Sequence, residues 1–505
     1  MSELNNVPVT EGAAKPAQNP KIIYETVPRD RLFLVLTLCF CVLFADVFFS
    51  SGRTALGLTV VVFAWYALTL SYVGMVAMTR TNNRILFLFN LFLALMLGLS
   101  SNWTFKTWNT LALLVLLPVH TVALSGAELL PWYQPLMFWE RLCRLMQGLF
   151  QRLGAAPAVL KQSGKERDNR RMTSLALGGV VSLALVLVLV SVLSSADALF
   201  AIATEGLRRF LREHLFSGAL RFLWGLILTP FTFGLLYSLR RPEPLKTTAK
   251  GLRVSWDAVG FVMVLSALDI LYLLFLAVQS AGLFGGPEYL AARGLSYAEW
   301  ARNGFFQMVG VTTVNLTVIL TALGTSRREG RSWKALRLLS ALLVLESLVL
   351  LASAAWRMSL YVGAYGLSFK RFMTYWGMAM MALFFLAAAR KLRRPDTSFC
   401  RAAFPLALAG WMVINCIPVD YLVAKDQVDR YLDGRSDSIS VEYLVSLSHD
   451  TLHQLERLAG KTVFSTYGGE VDMDQLLSAC RERAAREASD WHTWSLSACL
   501  ASFRR

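Results

Sequence analysis

The sequence predicts an all-α protein: a polytopic transmembrane helix bundle of about eleven spans, followed by a small C-terminal helical domain outside the cytoplasm. Three observations carry that expectation. The chain of 505 residues is 55% hydrophobic and only 17% charged, with a mean hydropathy of +0.48, whereas soluble domains carry about 25% charged residues. Apolar runs of about 20 residues, the length that crosses a bilayer core, recur along it. Lys and Arg gather in alternate loops between those runs, as orientation by positive charge requires.

Residues 1–31 are polar and contain Pro8, Pro16, Pro20 and Pro28. They read as a disordered cytoplasmic leader, too long and too mixed in charge for a secretory signal. The apolar run from Leu32 is therefore a retained first span. Spans are expected near 32–50, 55–78, 84–100, 108–126, 173–194, 218–238, 255–279, 303–324, 337–356, 371–390 and 401–419, so that the bundle fills 32–419. Residues 131–154 differ. Their Phe, Trp, Leu and Met alternate at helical spacing with Glu140, Arg141, Arg144 and Arg152, the pattern of an amphipathic helix lying in the membrane interface or packed as a connector.

With the N-terminus inside, roughly 29 basic residues fall in inside segments and about 11 outside. An odd number of spans then puts the polar domain 420–505 on the outer side. This distribution accounts for the net charge of +16 without nucleic acid as a partner; the bilayer is the partner it implies. In the tail, Val441, Leu444, Leu447, Leu452, Leu455 and Leu458 form one helical stripe over 438–459. A second helix is expected over 472–488, and a third from Asp490, with Trp491, Trp494, Leu496 and Leu500. No strand pattern is evident.

The seven cysteines form no CxxC pair, which argues against a metal or redox centre. Cys480 and Cys499 lie together in the tail, and spacing alone does not say whether they pair. No Walker A, HExxH or GxSxG pattern occurs, so no cofactor is expected and the chain leans away from enzymes. His449 and His453 have the spacing of a helical metal pair, but the residues between them are not a metalloprotease pattern and a solvated face is the simpler reading. Ionisable residues inside spans are the best pointer to function, because charge in lipid is costly. Asp46, His120, Asp269 and Glu346 qualify, and Asp269 and Glu346 lie nearest mid-span.

A second set of candidates lies on the predicted outer side. SSADALF (194–200), LSYAEWARNGFFQ (295–307), RMSLYVGAYGLSFKR (357–371) and the stretch from Pro418 to Arg430 bring Asp197, Glu299 and Asp420 together with Arg302, Arg357, Arg371, Tyr297, Tyr361 and Tyr365. Such residues either anchor helices and lock loops or let Arg grip an acidic headgroup or carboxylate.

These segments, with YLVSLSHDTLHQLERL and DWHTWSLS in the tail, resemble the bacterial membrane families DUF4153 and DUF4173 from about residue 170 to the end. The stretch Tyr421–Asp429 departs from an Asn-rich pattern associated with them. The resemblance implies a multi-pass protein of a bacterial cell membrane and supplies no catalytic residues. Three functions are expected in this order: a non-enzymatic envelope accessory, sensor or assembly protein that contacts envelope proteins or anionic lipid; a secondary transporter or lipid-handling protein; and a membrane-embedded transferase.

Overall fold

The computed structural model describes residues 24–50, 55–74, 76–126, 128–134, 136–161, 217–241, 256–284, 305–466 and 469–503, with positions 182, 185 and 189. The expected span at 173–194, apart from those three positions, and most of the leader lie outside them. The other ten expected spans coincide with helices: α1 (Pro28–Phe48), α2 (Leu56–Val73), α3 (Thr81–Leu99), α4 (Trp103–Leu124), then α7 (Ser217–Arg240), α8 (Ala258–Phe284), α9 (Phe305–Thr325), α10 (Gly330–Tyr365), α11 (Phe369–Arg393) and α12 (Cys400–Cys416). Among the described residues eight helices are long and apolar enough to cross a membrane, or nine if the bent pair of α12 and α13 (Val419–Leu432) is one span. In α9, only Val309–Thr325 qualifies, as a shorter apolar helix.

The helices form two groups. Helices α1, α2 and α7 share a core that includes Phe33, Tyr72 and Phe233, and α2–α4 share another around Leu93 and Leu97. Close approach of α1 and α7 depends on Gly225, where a Cβ would lie 2.5 Å from Val42 Cγ2 and 2.9 Å from its backbone nitrogen. Small residues serve helix pairing in membranes in this way. Helices α8–α11 build the second core around Leu265, Ile319, Leu343 and Leu350.

The loops sort onto two ends. At one end, Asp30 is fully buried. It accepts from Tyr72 Oη at 2.9 Å and pairs with Arg240 at 3.3 Å and Arg241 at 3.8 Å, joining the ends of α1, α2 and α7. Arg80 pairs with Glu128, Arg328 with Asp396, and Ser398 donates to the Tyr133 carbonyl at 3.1 Å. The described parts of the basic loops assigned to the inside therefore share one end of the bundle.

At that end α5 (Met137–Met146) and a π-turn (Gln147–Gln151) follow Pro135, so the helix starts later than the amphipathic pattern did. Its polar face points inward. Glu140, Arg141 and Arg144 are buried while Phe138, Trp139, Leu142, Met146 and Phe150 are exposed. Glu140 accepts from the backbone of Leu129 and Leu130 at 2.9 and 3.1 Å, and Arg141 pairs with Glu128 at 3.0 Å. The inverted polarity suits a helix whose outer face meets lipid. A short helix α6 (Ala155–Lys161) follows.

At the opposite end, α12 breaks at Ile417–Pro418 and resumes as α13 at an angle of 49°; Pro418 has no N–H to continue the helix. The stripe expected over 438–459 is buried at Val441, Leu444, Leu452, Leu455 and Leu458 but is not one helix. Helix α14 (Val441–Leu447) stops at Ser448, which is extended (φ −153°, ψ 171°), and short helical turns follow. The absence of strands also needs correction. β1 (Thr462–Ser465) and β2 (Gly469–Asp472) form an antiparallel hairpin, with strands too short to show alternation in sequence. Helix α15 (Met473–Ser489) is capped by Asp472, whose Oδ1 accepts from Asp474 N at 2.9 Å. The third expected helix starts later than Asp490, as α16 (Leu496–Phe503), after a turn.

This C-terminal domain is sewn to the bundle. Ala55 N donates to the His492 carbonyl at 2.7 Å, His449 N donates to Ser101 Oγ at 3.0 Å, and Asn102 Nδ2 donates to Asp420 Oδ2 at 2.6 Å.

Asp30→Ala leaves Tyr72 and two arginines without their buried acceptor. It is expected to cost about 3–5 kcal/mol, read as a lower thermal unfolding midpoint of purified protein in detergent; an unchanged midpoint would refute the anchoring role.

Candidate functional site

Asp269 and Glu346 are 3% and 2% exposed, and the packing of α8 against α10 makes them close neighbours. None of their four carboxyl oxygens has a donor among the described residues. A polar ladder runs beside them across three helices. Tyr272, one turn on from Asp269, donates through Oη to Asn315 Oδ1 at 2.8 Å. Asn315 Nδ2 donates to Ser347 Oγ at 3.0 Å, and Ser347 adjoins Glu346. Leu265, Ile319, Leu343 and Leu350 seal this region. Two adjacent carboxylates out of contact with water repel each other and are each poorly solvated. A proton shared between them, or a monovalent cation bound by both, relieves both costs.

Asp197, Tyr297, Glu299 and Arg302 lie outside the described residues. Arg357, Tyr361, Tyr365 and Arg371 all lie on α10, α11 and their connection. Arg357 is buried, 8% exposed. The Arg371 guanidinium lies 4.3 Å from the Tyr361 ring centre and 6.0 Å from that of Tyr365, and donates to the carbonyls of Tyr365, at 3.0 Å, and Gly366. Arg430 on α13 donates to the carbonyls of Val362 and Gly363 at 2.9 and 3.1 Å and pairs with Asp426 at 3.1 Å. Asp426 in turn accepts from Leu367 N at 2.6 Å. The last turn of a helix exposes unpaired carbonyls, and here two arginines serve them. Gly366, at φ +75° and ψ 174°, ends α10 in a backbone conformation that glycine alone adopts readily. This arrangement fastens the C-terminus of α10 to the C-terminal domain.

The other intramembrane candidates have partners. Asp46 pairs with Arg221 and with His492 Nε2 at 2.9 Å. His120 Nδ1 lies 2.7 Å from Tyr66 Oη, which also accepts from Asn90 at 2.8 Å. His449 contacts Glu487 at 3.0 Å, whereas His453 stacks on Tyr421 with ring centres 6.0 Å apart. The two histidines serve different neighbours. No group of three metal-binding side chains occurs among the described residues. All seven cysteines, Cys480 and Cys499 included, are free.

Sequence reasoning passed over a polar seam where α4, α12 and α13 meet. Asn102, Lys106 and Asn109 are all buried, at the i, i+4, i+7 spacing of one helix face. Asn102 reaches Asp420. Asn109 Nδ2 donates to Asn415 Oδ1 at 2.8 Å and its Oδ1 accepts from Trp411 Nε1 at 2.8 Å. The spacing is legible in the sequence, but Asn102 and Lys106 precede the apolar run expected to span from 108.

The profile of the family described as "Domain of unknown function (DUF4153)" matches residues 86–458. The match starts well upstream of the segments that carried the resemblance and ends before DWHTWSLS. No curated protein and no solved structure matches the chain.

Beside the seam, Glu487 accepts from Arg483 Nε at 3.2 Å and contacts His449. The His449 hydrogen bond, helped by Arg483, holds its carboxyl at about 2, below the ordinary 4.5. A depressed folded value means stabilisation that is complete above pH 4.5 and lost as pH falls toward 2. Acid titration of the wild type is expected to loosen the C-terminal domain over this window, read by hydrogen exchange of α15. Glu487→Gln should flatten that pH dependence; an identical acid profile in the variant would count against the contact.

Proposed function

Because the chain belongs to the DUF4153 family, whose description assigns no activity, we propose its role from its own chemistry: a non-enzymatic membrane sensor whose Asp269–Glu346 pair takes up a proton or a monovalent cation. The observation that carries this reading is the pair itself, two neighbouring buried carboxyl groups with no donor among the described residues. Intramembrane ionisable groups without a structural partner mark ion and proton sites.

The same geometry supplies a route for the signal. Glu346 and Tyr365 lie on one unbroken helix of 36 residues, about 28 Å apart along its axis at 1.5 Å per residue. Arg430 and Asp426 grip the far end of that helix. A change in charge at Glu346 that shifts α10 therefore pulls on the C-terminal domain.

In this proposal the basic end of the bundle faces the cytoplasm with the N-terminus, as the charge bias favours. The C-terminal domain lies outside in a bacterial envelope, where it meets envelope proteins or anionic lipid; nucleic acid has no part. Secondary transport is the second reading, because a carboxyl pair can also couple ion flux to a solute.

Infrared difference spectra of the protein in lipid discs are expected to show a protonated carboxyl band that shifts with pH and changes in Asp269→Asn and Glu346→Gln. The same pH step should alter hydrogen exchange in residues 419–503 of the wild type and not in the variants. Absence of a titrating carboxyl band would sink the site. Cation-driven solute uptake into vesicles that disappears in Asp269→Asn would replace the sensor by a transporter. For sidedness, an impermeant maleimide on intact cells should label Cys499 in a chain whose other cysteines are replaced. Cys480 serves less well, because burial pushes its thiol pKa up. Labelling only after lysis would place the domain in the cytoplasm.

A further inference from the structure

Where α3 turns into α4, the C-terminal domain closes over the turn and leaves an open pocket of about 420 Å³. Small-ligand sites span roughly 300–1,000 Å³. Trp103 and Lys106 come from the bundle; His449, Arg483 and Glu487 come from the C-terminal domain. Three basic residues from two modules thus line one cavity together with the carboxylate of Glu487. Glu487 divides its two oxygens between Arg483 and His449. Arg483 spends only Nε on that contact, and its two terminal nitrogens have no partner among the described residues. Lys106 is 7% exposed and lines the cavity.

The place of the pocket narrows the ligand. Trp103 is the first residue of a spanning helix and is 47% exposed. An indole at a span terminus marks the headgroup level of a bilayer, where it has apolar neighbours on one side and water on the other. The anion most abundant at that level is phosphate. The planar fork of Arg matches phosphate geometry, and a lysine ammonium adds a point charge.

We propose that this pocket binds a phosphate group, held by Lys106 and Arg483 with Trp103 alongside, so that the ligand bridges the membrane bundle and the C-terminal domain. Phosphate in a lipid headgroup and free phosphate share this chemistry. The site is separate from the Asp269–Glu346 pair and stands whether or not that pair binds a cation.

Native mass spectrometry of the delipidated full-length protein tests it. Phosphatidylglycerol is expected to be retained, and diacylglycerol with the same chains is not. Lys106→Gln and Arg483→Gln should each weaken retention by about tenfold, in line with the loss of one charged hydrogen bond. Glu487→Gln should strengthen it, because Arg483 and His449 are then released to the anion; a purely structural ion pair predicts no gain. Inorganic phosphate that binds with the same dependence on Lys106 and Arg483, while phosphatidylglycerol does not bind, assigns the site to free phosphate. Equal retention of the two lipids without phosphate binding overturns the proposal. So does unchanged phosphatidylglycerol binding in the Lys106→Gln, Arg483→Gln double variant with phosphate binding equally unchanged. If that double variant fails to fold, a Glu487→Gln protein with no gain in affinity for either probe overturns it instead.

Discussion

Inside a bilayer a polar side chain has only the protein to bond to, and the price of leaving it unbonded is several kcal/mol. Most of the polar residues in this bundle obey that constraint visibly. Thr37, Thr121 and Thr229 each donate to the carbonyl four residues back, at 2.6, 2.8 and 2.7 Å. Trp65 Nε1 donates to Thr121 Oγ1 at 2.9 Å, and Asn90, Tyr66 and His120 form a chain of three. Asp30 collects a tyrosine and two arginines at one end of the bundle.

Against that background, the Asp269–Glu346 pair stands out by chemistry and not by location alone. The neighbouring ladder of Tyr272, Asn315 and Ser347 is bonded internally, yet it donates nothing to the two carboxyl groups. Retaining both acids there has no stabilising rationale: two hydrophobic residues of similar volume would pack the same space at lower cost. In the proposed function, uptake of a proton or a monovalent cation relieves that cost.

The constraint also shapes the two ends. At the basic end, α5 turns its charges toward the protein and its aromatic and aliphatic side chains outward, the reverse of a helix in water. At the other end, the carbonyls that finish α10 are served by Arg371 and Arg430, and the donors that do this come partly from the C-terminal domain. The domain is thus bonded to the bundle through the backbone of α10, through Asp46 and His492, and through the seam of Asn102 and Asp420. These attachments touch both helix groups.

By itself the sequence determined the class of fold and the positions of ten helices of the bundle, because hydropathy over about 20 residues is a local property. It also flagged Asp269 and Glu346 one at a time, since an acid in an apolar run is legible wherever it occurs. Only the tertiary structure decided that the two acids meet, because residues 77 positions apart become neighbours through the packing of α8 on α10. The pattern Arg–Tyr–Arg around α10 and α11 was legible too, but spacing did not distinguish a grip on a ligand from a grip on helix carbonyls; that depends on where the chain turns at Gly366. The break at Ser448 and the four-residue strands of the hairpin were hidden for a related reason. Both are imposed by the packing of the C-terminal domain, and neither leaves a periodic trace long enough to read. Tertiary packing thus adds to the helix bundle and its C-terminal domain a buried acid pair and one long helix that runs from that pair to the domain.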